Sequence, residues 1–134
     1  MEKDFIIKIN HTIAKFLGWF QQDSQSPEHY TWWERNDCAN YVAYCIPDNY
    51  PHNDLPFHRD WNYLMKVVDK IESLRDKFNN FYSVQIGMAG ANNPHQCTIE
   101  APLWKTQINN ADTKIEAVWL AVYNFIEWYN QNKE

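Results

Sequence analysis

The sequence predicts an α+β fold in which a largely antiparallel or mixed sheet is covered by helices. Three observations predict it. Apolar residues recur at helical spacing near 3–17, 60–75 and 113–131. Residues 82–88 alternate between apolar and small or polar side chains, and Cys97, Ile99 and Ala101 resume that alternation after the loop AGANNPH. Helical stripes and strand alternation in one chain call for helices packed on a sheet, because each element must bury its apolar side against another.

The first helix carries Ile6, Ile9, Ile13, Phe16 and Leu17 on one side, with Lys8 and Lys15 on the wet side. Gly18 is placed to stop it, since glycine accepts the left-handed conformation at a helix end. Trp19 and Phe20 begin a strand, the polar stretch QQDSQSPEH is a solvated loop, and Tyr30, Trp32 and Trp33 belong to a second strand. Residues 40–46 read either as a strand with Val42, Tyr44 and Ile46 on one face, or as a helical turn capped by Asn36 or Asp37. So short a run does not separate the two. Residues 47–59 hold three prolines and read as loop.

Asp60 is a good cap for the second helix, because its carboxylate can accept from an orphan amide. The stripe Trp61, Leu64, Met65, Val68 and Ile71 follows. Tyr82, Val84, Ile86 and Met88 share one side of a hairpin strand. Thr113 and Glu116 have the spacing of a capping box, and the closing helix places Ile115, Val118, Trp119, Val122, Ile126 and Tyr129 on one face.

The chain has 134 residues, enough for one domain with a core of its own, spanning 1–134. Seventeen acidic residues outweigh twelve basic ones, and the net charge is −5. Nucleic-acid affinity rests on Lys and Arg neutralising phosphates, so this balance argues against nucleic acid as a partner. No stretch approaches the ~20 apolar residues of a membrane span. Cys38, Cys45 and Cys97 are odd in number, and the opening residues do not read as a secretory signal. Free thiols in the cytoplasm are the simplest account. Trp, Tyr and Phe together make up 16% of the chain, a high share that reads either as a core filled with bulky residues or as a surplus of which part lines a pocket or an interface.

The stretches IAKFLGW (13–19), LPFHRDWNYLMKVVDKIE (55–72) and TKIEAVWLAVYNFIEWYN (113–130) resemble the phage ABA sandwich domain family, small proteins of Bacteroides-type phages and prophages. In that family a short first helix ends in Gly-Trp. A proline-containing loop leads into a helix opening with an acidic-Trp pair, and a helix rich in Ala, Val and aromatics closes the chain. The resemblance implies a three-layer α/β/α sandwich in a protein of the bacterial host's cytoplasm. The matching residues are core and capping residues, so it implies a fold and no chemistry. Residues 21–44 match least.

Three constellations bear on chemistry. Asn36-Asp37-Cys38-Ala39-Asn40-Tyr41 is similar to the DCxNF-type nucleophile motif of cysteine amidases, with His52, His58 or His95 as the base. A helix N-terminus would lower the thiol's pKa. Against it stand the short chain, the missing glycine-rich oxyanion segment, and the tendency of free Cys to serve as a small buried hydrophobe. Cys38, Cys45, His52 and His58 form C-x6-C-x6-H-x5-H, but structural zinc sites space their cysteines by two to four residues, so no metal or other cofactor is expected. Trp32 and Trp33, with Tyr30 and Trp104, supply aromatic anchors for a partner or a stacked base. Adjacent strand residues point to opposite faces, so both Trp32 and Trp33 cannot lie in one core layer. Trp32, Trp33, Tyr50, His52 and His58 are therefore the binding residues expected, on a proline-stiffened platform.

The function expected is that of a non-catalytic phage or mobile-element accessory protein that binds a host protein or a small nucleotide-like ligand. A small cysteine hydrolase using Cys38 is the alternative.

Overall fold

A computed structural model describes residues 2–22, 31–35, 41–45, 55–87, 95–108 and 111–132. The fold class is α+β, with three helices and two antiparallel three-stranded sheets among the described residues. The chain clusters into two compact units, Met1–Pro56 and Phe57–Glu134. Among the described residues no helix is long and apolar enough to cross a membrane.

The first unit opens with α1 (Lys3–Phe16). Its end is a Schellman motif. The Gly18 amide donates to the Lys15 carbonyl and the Trp19 amide to the Ala14 carbonyl, both at 3.0 Å, while Gly18 takes φ +83°. The buried positions are Ile9, Asn10, Ile13 and Ala14. Asn10, which interrupts the apolar pattern in the sequence, lies fully buried because its amide donates to the Leu55 carbonyl at 2.8 Å. Strands β1 (Phe20–Gln22), β2 (Thr31–Arg35) and β3 (Tyr41–Cys45) then form an antiparallel meander in chain order. Within the ambiguous 40–46 stretch, Tyr41–Cys45 is thus a strand. Trp33 pairs in register with Phe20 and Ala43, and Trp32 with Gln21 and Tyr44.

The second unit begins with buried Phe57 and then α2 (Trp61–Ser73), capped as anticipated by Asp60, whose carboxylate accepts from the Asn62 amide at 2.9 Å. The buried stripe is Leu64, Val67, Val68 and Ile71, not the Trp61- and Met65-containing stripe expected. Those two are 38% and 37% exposed. At about 100° per residue, Val67 moves the centre of the apolar face away from both.

Strands β4 (Ser83–Gly87), β5 (Gln96–Ala101) and β6 (Trp104–Ile108) form the second antiparallel meander, so the expected hairpin is present and carries a third strand. Proline and leucine at 102 and 103 make the two-residue turn into β6. Central β5 buries Cys97, Thr98 and Ile99. Edge strand β4 leaves Ile86 38% exposed although it shares the apolar row of Val84.

Helix α3 (Lys114–Asn132) packs on all three strands and touches α2. Thr113 caps it, accepting from the Glu116 amide at 3.1 Å. Ala117, Val118, Trp119, Ala121, Val122, Phe125 and Ile126 are all buried. This covers more than half the helix circumference, as in a helix enclosed by its surroundings.

Candidate functional site: an aromatic cleft

Of the residues singled out in the sequence, Tyr30, Cys38, Tyr50 and His52 lie outside the described residues, and with them the Cys38 nucleophile and half of the four-residue metal pattern. Trp32 and Trp33 lie on β2 and Cys45 ends β3. His58 is half-buried, its ring centroid 5.9 Å from that of fully buried Trp119. Among the described residues no three His, Cys, Asp or Glu side chains are grouped to hold a metal ion.

Cys97 is a free, buried thiol, and burial pushes its pKa up to about 12. The proton held there makes it a poor nucleophile, since only the thiolate attacks. His95, one of the bases considered, has its Nδ1 buried without a hydrogen-bond partner among the described residues.

The raised thiol pKa sets a pH dependence. The folded protein keeps a proton that the unfolded chain releases above about 9, so the stabilisation is complete below that pH and is lost as pH rises toward 12. Tyr82 adds to it, its phenol raised first by burial, then by Asp76 and Tyr129. We expect denaturant midpoints to fall steadily between pH 9 and 12, and Cys97→Ala to flatten the curve. Iodoacetamide should not label Cys97 at neutral pH until the protein unfolds.

The second unit contains a half-open cleft of about 550 Å³, assembled from three distant segments. Trp128, Tyr129 and Asn132, from the last turns of α3, form one wall. Trp104 starts β6 and stacks on Trp128, with centroids 4.4 Å apart and planes 19° from parallel. Tyr82 closes the floor. Behind these rings sits Phe125, 4.9 Å from Tyr82, 5.5 Å from Trp104 and 5.6 Å from Tyr129. Such offset and edge contacts hold aromatic rings rigidly.

The turn after α2 also lines the cleft. Asp76 Oδ1 accepts from the Phe78 and Asn80 amides, both at 2.9 Å, and the Asp76 amide donates to the Asn80 carbonyl at 2.9 Å. Asn79 takes φ +68°, a conformation asparagine tolerates better than most residues. Its side chain accepts from Arg75 Nη1 at 2.9 Å, and the Arg75 guanidinium lies 4.2 Å over the Phe81 ring. The turn thereby holds its carboxylate on backbone amides and leaves Arg75 and Lys77 exposed.

Three large apolar side chains stand exposed beside this cleft: Leu103 at 73%, Phe78 at 58% and Phe81 at 54%. Leu103 and Phe78 line it directly. Among its described lining residues Asp76 is the one carboxylate, and there is no cysteine, serine or histidine. Sequence reasoning named Trp104 as an anchor but missed the other walls, because residues 75–78, 104 and 128–132 meet through tertiary packing.

No family model matches the chain, and comparison with curated proteins and with solved structures returned no match.

Proposed function

We propose that the protein is a non-catalytic binding protein whose partner seats in the aromatic cleft of its second unit. The observation that carries this reading is the combination of a preformed, ring-lined cleft with exposed Leu103 and Phe78 at its mouth. Exposed apolar clusters around Trp and Tyr are typical of interaction sites. The likeness of residues 13–19, 55–72 and 113–130 to the phage ABA sandwich family supports an accessory role in the cytoplasm of a bacterial host, with a host protein or a small ligand as partner, and a three-layer sandwich arrangement.

The test is native mass spectrometry of the protein purified from its own host, beside the double variant Phe78→Ser/Leu103→Ser. Both side chains are mostly exposed, so the variant should melt within a few degrees of the parent. A species carried by the parent and lost from the variant supports the cleft. A species carried equally by both places binding elsewhere and sinks the reading.

A further inference from the structure

We infer that the cleft takes an acidic peptide segment of a partner protein, anchored by one aromatic or aliphatic side chain. The inference rests on the binding reading above and names the class of partner.

The anchor follows from the walls. Leu103 and Phe78 at the mouth, with Trp104 and Trp128 behind, offer apolar surface on several sides, and about 550 Å³ accommodates one large side chain with its flanking backbone. Hot spots of this kind, Trp and Tyr in a pocket, seat an apolar anchor from the other partner. The acidic flank follows from charge. Asp76 Oδ1 is held by the Phe78 and Asn80 amides, and the two cations beside it outnumber its single negative charge. Lys77 and Arg75 are exposed, one 5.3 Å over Phe78 and the other over Phe81. On a chain of net charge −5 this rim is locally positive. An acidic partner is held off by most of the surface and accepted here, so the patch supplies specificity as well as attraction.

The experiment uses the full chain labelled with ¹⁵N. The indole N–H signals of Trp104 and Trp128 are identified through Trp104→Phe and Trp128→Phe. The probes are end-blocked pentapeptides: Glu-Glu-Phe-Glu-Glu, its neutral analogue Gln-Gln-Phe-Gln-Gln, its charge-reversed analogue Lys-Lys-Phe-Lys-Lys, and Glu-Glu-Ala-Glu-Glu. Each is titrated to a few millimolar. Glu-Glu-Phe-Glu-Glu should move both indole signals saturably, the charge-reversed and Ala peptides should not, and Lys77→Glu should weaken the binding about threefold to tenfold. Lys77 is exposed, and an unchanged melting temperature confirms that the variant is folded.

Equal binding of the neutral or charge-reversed peptide overturns the acidic class and leaves the cleft reading standing. Silence with every peptide, accompanied by signal movement with a short oligothymidylate, replaces the peptide by a single strand stacked on the rings. Indole shifts that depend on protein concentration alone replace it by a second copy of the chain. Silence with every probe overturns both the inference and the cleft reading.

Discussion

Trp119→Ala should lower the stability of the protein by about 3–5 kcal/mol, the range for truncating a large buried aromatic. Among the described residues Trp119 is the largest fully buried side chain, 1% exposed, in the first half of α3. Removing the indole leaves a cavity that the neighbouring backbone of a packed helix cannot collapse to fill. The half-buried His58 ring loses its aromatic neighbour as well. Urea titration followed by far-UV circular dichroism measures the loss, and Trp119→Phe should recover part of it. A loss below about 1 kcal/mol would mean that the indole is not enclosed as described.

Phe125→Ala should cost a similar ~3–5 kcal/mol, and it should also dismantle the cleft. Phe125 is fully buried and lies against Tyr82, Trp104 and Tyr129, with Trp128 at 6.0 Å. Each aromatic pair contributes about 0.5–1.5 kcal/mol beyond burial of area, so the loss should exceed that of an aliphatic residue of equal volume. Near-UV circular dichroism, which reports fixed aromatic packing, should weaken in Phe125→Ala while the far-UV signal persists. Phe125→Leu refills most of the space and separates the two effects: stability should return in part, while the near-UV signal stays reduced. Because Phe125 touches Trp128, the losses of Phe125→Ala and Trp128→Ala should not add in the double variant.

The candidate site was far less legible than the fold, and particular residues show why. Trp104 and Trp128 are 24 positions apart in the sequence, yet their rings stack. Strand alternation explains why Trp104 faces α3, and helical period explains why Trp128, Tyr129 and Asn132 share a side. Neither period says that the end of one element meets the start of the other. The turn at 75–80 reads as an ordinary polar connection. Its contribution, a carboxylate held on backbone amides beside two exposed cations, depends on the Asp76 and Asn79 bonds formed in the folded turn. The residues from Trp32 to His58 are distinctive in composition and close along the chain, which brings no side chains together by itself.

What the sequence determined by itself is local: the Gly18 stop, the Asp60 and Thr113 caps, the three helices, and the alternation that makes β4 and β5 a hairpin. These follow from backbone sterics, orphan amides and the periods of helix and strand, all of which act within a few residues. Tertiary structure decided the rest. It placed Val67 rather than Met65 in the core, buried Asn10 once the Leu55 carbonyl was there to accept from it, and added β6 to the sheet. It also brought the ends of α2, β5 and α3 together as a cleft. Each of these turns on which surface lies opposite a residue, and that is a property of the packed chain, whose partners are distant in sequence and whose contact energies exist only after folding.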